Sequence, residues 1–241
     1  MTSRYCGGQV TQFTSDQSYI YCGMTGGVIL IFMSKTLLYV TRLEEKESNL
    51  WQLQVGRSVV VALTEVSALV WRKRDWSLVS RVKYWSEVTL LLSSSSHHVS
   101  QGQPYLHLEG DMMVLPGATK YTARLLIYDR QEERLCRVRD LVHTKVWVVG
   151  AHIEGEHVVS LAVPCQDLGW RELTVWQVRR GTRRHKMRVQ GAMGGFPALR
   201  YPHVFLPSAR TGLEVWRTEA DSGKVSYGFC PHHENVHCPR D

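Results

Sequence analysis

The sequence has no apolar run long enough to cross a membrane. Its longest uninterrupted apolar run, Val28 to Met33, is far shorter than the ~20 residues that a spanning helix needs. The first ten residues, MTSRYCGGQV, have neither the basic segment nor the apolar core of a signal peptide. We therefore expect an intracellular, soluble protein of the cytoplasm or the nucleus.

Paired cysteines and enzyme motifs are missing as well. The six cysteines lie at positions 6, 22, 136, 165, 230 and 238 without a CxxC pair, which is typical of free thiols in a reducing compartment. The chain has no GxSxG, no P-loop, no HExxH and no GxGxxG after a strand-like run. These absences argue against the common hydrolase and nucleotide-binding classes, so we predict no enzyme and no cofactor.

The composition allows a large core and sets few limits on partners. Apolar residues make up 44% and charged residues 21% of the 241 residues, as in ordinary globular proteins. The formal net charge of +7 permits an acidic partner without requiring one.

What the sequence does contain is a repeated hairpin. Five segments share a β-rich run that ends in an aromatic, a polar turn and a second alternating run. They are GGVILIFMSKTLLYVTRL, SALVWRKRDWSLVSRV, ARLLIYDRQEERLCRVRD, RELTVWQVRRGTRRHKMRV and TGLEVWRTEADSGKVSYGF. Their aromatic anchors are Phe32, Trp71, Tyr128, Trp176 and Trp216. Two of the four steps between anchors are close to the ~40 to 45 residues of a four-stranded propeller blade.

Two further strands precede each hairpin. The nearer ones are YIYCGMT, SVVVALT, DMMVLPG, EHVVSLAVP and YPHVFLPS, and the innermost candidates are QVTQFT, NLWQLQV, EVTLLL, KVWVVGAH and GFPALR. Four short strands per unit predict an all-β chain, a β-propeller of four-stranded blades with about five recognisable blades. Another multi-stranded sandwich or barrel stays open, because alternating strands alone do not determine topology.

The blades are expected near 9–43, 49–83, 88–140, 145–190 and 196–229, which makes 1–229 one propeller domain. A polar stretch, SSSSHHVSQGQP, predicts an irregular loop insertion at 93–110, in which His97 and His98 are expected to be exposed. The remaining residues, 230–241, are expected to form a flexible tail rich in His, Cys and Pro.

The hairpin pattern resembles the WD-repeat propeller family, in which a Trp-Asp or similar dipeptide closes the third strand of a blade. This sequence has Tyr128-Asp129 at one such place, whereas the family's Gly-His pair at blade entry is absent. The resemblance implies that each anchor ends a third strand, with the preceding valine packed between blades and the aromatic covering the outer part of that interface. Because such propellers usually carry seven blades, we expect an incomplete propeller; a closed ring of five or six blades, with one in Lys83 to Gly110, is the alternative.

A basic hairpin, RRGTRRHKMR, is the first candidate binding site. Its cations could converge on one anionic surface. They are Arg179, Arg180, Arg183, Arg184, Lys186 and Arg188. The letters RRGT are similar to the Arg-Arg-Gly motif of phosphoinositide-binding propellers, although here they follow the third strand of a unit and not the outermost one. The other interpretation is a solvated hairpin tip.

The tail, CPHHENVHCPRD, is the second candidate. Cys230, His232, His233, His237 and Cys238 offer thiolate and imidazole ligands at spacings seen in zinc sites. Structural zinc sites usually join two separated ligand pairs, whereas these lie on one short terminal segment. We therefore assign no metal site and favour a solvated tail.

The acidic residues do not form a matched acid–base pair. Glu44, Glu45 and Glu47 make one short run, and Glu132 and Glu133 lie in a hairpin turn.

The sequence thus predicts a non-catalytic scaffold that presents loops to protein or peptide partners, as a substrate-recognition or assembly module. The first alternative is a propeller that binds anionic lipid or nucleic acid through the basic hairpin 179–188. The second is an enzyme with a site in the central channel, since propeller enzymes gather residues from several blades without a local motif.

Overall fold

A computed structural model describes residues 8–44, 50–64, 67–84, 105–164, 170–180, 182–190, 197–208 and 212–218. Every regular element among these residues is a β-strand. No helix in this part of the chain is long and apolar enough to span a membrane. The predicted all-β class is therefore confirmed.

The described residues contain nineteen strands in five sheets, which we call blades 1 to 5. Blade 1 contains β1 (Val10–Ser15), β2 (Tyr19–Met24), β3 (Val28–Met33) and β4 (Tyr39–Glu44). Blade 2 contains β5 (Gln52–Val55), β6 (Val59–Leu63), β7 (Ser67–Arg72) and β8 (Leu78–Lys83). Blade 3 contains β9 (His107–Glu109), β10 (Met112–Pro116), β11 (Thr122–Asp129) and β12 (Arg134–Val142). Blade 4 contains β13 (Val146–Glu154), β14 (His157–Pro164), β15 (Trp170–Gln177) and β16 (Thr182–Gln190). Blade 5 contains β17 (Ala198–Arg200), β18 (His203–Ser208) and β19 (Gly212–Arg217).

Each blade is an antiparallel meander in which strands adjacent in sequence are adjacent in space. In blade 3 the innermost strand, β9, lies inside the range 93–110 that the sequence predicted as a loop insertion. The stretch EVTLLL, predicted as that strand, is outside the described residues, as is the last run of the fifth segment. Strand β9 has only three residues and follows a polar stretch, so the sequence pattern did not reveal it.

Neighbouring blades pack face to face through four apolar clusters, each formed by two consecutive blades. In blade 2, Val70 packs against blade 3 and Trp71 packs against blade 1. In blade 4, Val175 packs against blade 5 and Trp176 against blade 3. The sequence expectation placed both members of such a pair in one interface. It was wrong because successive strand residues point to opposite faces of the sheet.

The strand register also corrects one anchor. Phe32, Trp71, Trp176 and Trp216 each pair with the second residue of the preceding strand, whereas in blade 3 that partner is Leu126. Leu126, and not Tyr128, therefore occupies the anchor position of blade 3. Both side chains are buried on the same strand face, which explains why an aromatic two residues later suggested the same pattern.

The five blades form an open arc, because no apolar cluster of the described residues joins blade 1 to blade 5. The face of blade 1 that points away from blade 2 is correspondingly exposed. Val10, Phe13 and Tyr39 retain 52%, 65% and 42% of their accessible surface there, and Phe32 is only half-buried. The arc agrees with the predicted incomplete propeller.

Candidate functional site

One side of the arc, which we call the turn face, carries the turns that follow the first and third strands of each blade. These turns share a side because the two strands run parallel within an antiparallel meander. In all five blades a backbone hydrogen bond joins the two turns. The donor is an N–H at or just after the end of the third strand, and the acceptor is a carbonyl of the first turn. The acceptor carbonyls belong to Ser18, Ser58, Asp111, Glu156 and Pro202, at 2.7 to 2.9 Å. The turn face is therefore a fixed surface.

Adjacent blades are also joined near the arc axis, where the innermost strands leave backbone N–H groups unpaired. Side chains of the preceding blade accept hydrogen bonds from these groups. The bonds run from Ile153 N to His107 Nδ1 (3.2 Å), Gly155 N to Glu109 (2.6 Å), Leu199 N to His152 Nδ1 (3.4 Å) and Tyr201 N to Glu154 (2.7 Å). Blade 2 makes a comparable link, since the amides of Gln52 and Gln54 both donate to the carbonyl of Leu106.

The bridging residues repeat in the sequence as HLEG at 107–110 and HIEG at 152–155. The two copies lie 45 residues apart, which is one blade. Gly110 and Gly155 both have a positive φ, 62° and 54°, so each ends its strand in a conformation that favours glycine. Sequence reasoning aligned the blades on the aromatic pairs of the third strand and missed this signal.

The imidazoles of His107 and His152 are in contact, with ring centroids 3.5 Å apart and ring planes tilted by 30°. Burial and the neighbouring His152 lower the pKa of His107 to about 4, and burial lowers the pKa of His152. Both rings are therefore neutral at physiological pH and can accept the backbone N–H bonds. Their observed role is to join blades.

A buried polar network lies inside blade 4. The Ser160 hydroxyl is 2.9 Å from His143 Nε2 and accepts a 2.7 Å bond from the Trp176 indole N–H. His143 Nδ1 lies 3.4 Å from Glu172, whose other carboxylate oxygen pairs with Lys186 at 2.8 Å. His143 lies at the entry of blade 4, where the WD-repeat family has a Gly-His pair. The residue before it is Val142 and not glycine, so the sequence does not show the pair.

The order Ser160, His143, Glu172 resembles a hydrolytic triad, but its surroundings do not suit catalysis. All three residues are at most 2% exposed, so a substrate carbonyl cannot reach the hydroxyl. The hydroxyl also accepts a hydrogen bond from the Trp176 indole N–H and donates to the carbonyl of Thr174 at 3.4 Å, which leaves it no free direction for attack. The network satisfies buried polar groups and holds strands together.

Several cations of the basic hairpin of blade 4 have partners within the chain, although Arg179 and Lys186 remain 80% and 51% exposed. Arg179 pairs with Glu156 at 2.7 Å, and Lys186 pairs with the buried Glu172. The guanidinium of Arg183 lies 5.1 Å from the Trp176 ring centre and donates to the carbonyl of Val142, and that of Arg188 lies 4.4 Å from the Trp170 ring centre. Arg180 is exposed. Arg184 lies in β16, and its side chain is outside the description.

We expect weak, nonspecific anion binding by the hairpin, because its cations are exposed to screening by salt and several already contact groups of the chain. We expect the wild-type chain to bind vesicles of phosphatidylcholine and phosphatidylserine only at low salt, because mobile ions screen exposed charges. Changing Arg179, Arg180, Arg183 and Arg184 to Ser should reduce this binding and leave the capture of protein partners intact. Vesicle sedimentation over a salt series measures it. Saturable, headgroup-specific binding near physiological salt, lost in the variant, would contradict the prediction.

A second basic feature, which we call the basic cavity, lies on the turn face between blades 2 and 3. It has a volume of about 300 Å³. Its lining residues are Arg57, Ser58, Arg72, Lys73, Arg74, Tyr128, Arg130 and Glu133. Five of the eight are cations and one is an acid. Arg72, Lys73 and Arg74 belong to the polar turn of the second repeated hairpin, whereas the other members are farther away in the chain.

Carboxylates hold four of these cations in place. Lys73 pairs with Asp16 of blade 1, and Arg130 donates to Asp111 at 2.6 Å. Arg72 pairs with Asp75 at 2.6 Å and with Glu133, and Arg74 pairs with Glu133 at 2.7 Å. Asp111 also accepts a 2.7 Å bond from Ser58 N, which joins blade 3 to blade 2.

Several predicted positions cannot be placed. The tail residues Cys230, His232, His233, His237 and Cys238, and the loop residues His97 and His98, are outside the described residues. Of the acidic residues, Glu44 pairs with Arg42 at 3.1 Å and Glu132 with Arg134.

Within the described residues one cluster of possible metal ligands occurs, although no other feature there indicates a metal site. Asp129, Glu132 and Cys136 place ligand atoms within 4.8 Å of one another. The Asp129 carboxylate accepts the backbone N–H of Gln131 at 2.8 Å, so it already stabilises its own turn. Cys22 and Cys136 are free thiols.

Solved structures give the clearest likeness to known proteins. The chain superposes on Kluyveromyces lactis Hsv2p with a TM-score of 0.63, at 11% identity, over 93% of this chain and 65% of that one. It superposes on the β-propeller domain of Cps50 (Swd1) from Myceliophteria thermophila with a TM-score of 0.62, at 12% identity, over 88% of this chain and 67% of that one. For the WD40 repeats of RRP9 the TM-score is 0.54, at 15% identity, over 87% and 62%.

The chain has a WD40-type β-propeller fold. The sequence resemblance is thus confirmed for the fold. The chain spans about two thirds of the length of these propellers, in agreement with its open arc. No protein-family model and no curated protein matches the sequence.

Proposed function

We propose that the chain is a non-catalytic scaffold that binds protein or peptide partners through its turn face. Propellers of the WD40 type generally serve as interaction modules, and the fold supports the same role here.

The rigidity of the turn face is the observation that carries the proposal. Each blade has the backbone bond between its two turns, and side chains of blades 2, 3 and 4 bond to the backbone of the next blade. Preorganised loops lose little conformational entropy on binding, so their contact energy is available for affinity.

The buried polar groups support a role without catalysis. The hydroxyl of Ser160 is occupied and inaccessible, and the rings of His107 and His152 are bonded to the neighbouring blade. A central-channel enzyme would need such groups free to meet a substrate. The lipid or nucleic-acid alternative would depend on the exposed cations of the basic hairpin, several of which already contact Glu156, Glu172 or an aromatic ring.

Photo-crosslinking at single positions tests this proposal. We expect a photoreactive amino acid at Gln131 or Arg180, both exposed on the turn face, to form discrete protein adducts in cell extract. Excess unmodified chain should compete these adducts away. Val138, which is 40% exposed on the outermost strand of blade 3, is the matched control and should give none. Adducts that are equal at all three positions, or that contain only lipid or nucleic acid, would refute the scaffold.

A further inference from the structure

The basic cavity combines features that the scaffold role alone does not require. We propose that it binds a phosphorylated segment of a protein partner, and that the Glu133 carboxylate occupies the phosphate position in the free protein. This inference rests on the proposed scaffold function and names the chemistry of one of its partners.

The arrangement of charge favours an anion in the cavity. Three of the carboxylates that pair with its cations, Asp16, Asp75 and Asp111, do not line the cavity, so its lining carries five cations and one acid. Arg57 is exposed, and within the described residues its guanidinium forms neither a hydrogen bond nor an ion pair. A ligand therefore gains an unused guanidinium without breaking a contact of Arg57.

Glu133 is placed as an internal substitute for such a ligand. It comes from the blade 3 turn and crosses to blade 2, where its two carboxylate oxygens meet the guanidinium groups of Arg72 and Arg74. Its φ of +51° recurs at Leu37 and Trp76 in the corresponding turns of blades 1 and 2, so this conformation belongs to the turn type. The side chain is 38% exposed and can swing into water when a competitor enters.

A phosphate is a better occupant than the carboxylate it would displace. It carries about −1.5 to −2 charges and three acceptor oxygens, against one charge and two oxygens for Glu133. Guanidinium groups bind phosphate through paired, charge-assisted hydrogen bonds, and four arginines line the cavity.

The shape of the site favours a peptide over a membrane. The volume of about 300 Å³ accommodates a phosphorylated side chain and part of its backbone. Arg72 and Lys73 are only 19% and 18% exposed, so they are recessed between the blades. A protruding side chain reaches such groups more readily than the headgroups of a flat bilayer.

Fluorescence anisotropy with the full chain tests the site. The probes are a labelled glycine–serine peptide with one phosphoserine and its unphosphorylated counterpart. We expect the phosphopeptide to bind at least ~10-fold tighter than the counterpart. Arg57→Ser together with Arg74→Ser should weaken phosphopeptide binding ~10-fold or more. Glu133→Gln should tighten it ~3-fold or more, because the amide no longer competes for the two arginines.

The control is Arg179→Ser with Arg180→Ser, which removes two cations from the same face and should change affinity less than ~2-fold. Thermal melting establishes that each variant is folded. Equal binding of both peptides would overturn the proposal. So would a phosphopeptide affinity that is unchanged both in the Glu133→Gln variant and in the variant that carries Arg57→Ser and Arg74→Ser. Saturable binding to phosphoinositide vesicles without phosphopeptide binding would assign the cavity to membranes and overturn it too. Crosslinks from Gln131 that persist when the phosphopeptide fails to bind would retain the scaffold and reject this site alone.

Discussion

Replacing Trp176 with alanine is expected to lower the free energy of unfolding by about 3 to 5 kcal/mol. The side chain is 4% exposed and packs in the cluster between blades 3 and 4. Its removal leaves a cavity and deprives the Ser160 hydroxyl of the indole N–H that it accepts at 2.7 Å. Urea denaturation measures the change. It is monitored by far-UV circular dichroism, which does not depend on the fluorescence of the replaced tryptophan.

Trp176→Phe separates the two contributions, since it keeps most of the ring and removes the hydrogen bond. We expect it to cost about 1 to 3 kcal/mol, the usual penalty for a buried polar group without its partner. Trp71→Ala and Trp216→Ala should resemble Trp176→Ala, because both residues are also buried at anchor positions, at 3% and 8% exposure. Alanine variants that all unfold at the wild-type urea concentration would show that the anchors do not stabilise the blades.

Lowering the pH from about 6.5 to about 4 is expected to destabilise the fold through His143 by about 3 kcal/mol. Burial lowers the pKa of this imidazole to about 4, although the nearby Glu172 acts in the opposite direction. Between these pH values the unfolded chain binds a proton at this histidine and the folded chain does not. Stability from this residue is therefore complete above pH 6.5 and is lost as the pH falls towards 4, with no further change below.

The measurement is the free energy of unfolding at several pH values for wild type and His143→Gln. The glutamine does not titrate, so the variant should have a shallower decline across this window, even if its stability at neutral pH is lower. His107 and His152 also have lowered pKa values and remain in both proteins, so the difference between the two curves isolates His143. Parallel curves would show that His143 does not contribute to acid sensitivity.

Much of the fold was predictable because blade strands are built from local alternation. The hairpins around Trp71 and Trp176 were located correctly from an apolar pair, a polar turn and a second alternating run. Blade 3 shows the limit of that reasoning. Tyr128 has the right residue type and the right face, yet only the pairing of Met113 with Leu126 identifies the true anchor. Register depends on the partner strand, which a single run does not specify.

The candidate site was less predictable, for a related reason. The basic hairpin was visible because its six cations are neighbours in the chain, but several of their partners, such as Glu156 and Trp170, come from other strands and turns. The basic cavity had only the consecutive cations Arg72, Lys73 and Arg74 as a local signature, because Arg57 and Arg130 join them only in the folded blades 2 and 3. Folding thus gave several hairpin cations partners from other strands and turns, and it brought together cations that are scattered in the sequence.

The sequence by itself determined the repeating unit: short alternating strands that cannot bury their faces singly and must stack as blades. Tertiary structure alone decided which side chain of each pair meets which neighbour and how the innermost strands are joined. It also decided where the cations converge. The physical reason is range: alternation and turn chemistry act over a few residues, whereas the contacts of His107, Glu133 and Asp111 join residues about 45 to 60 positions apart, across blade boundaries.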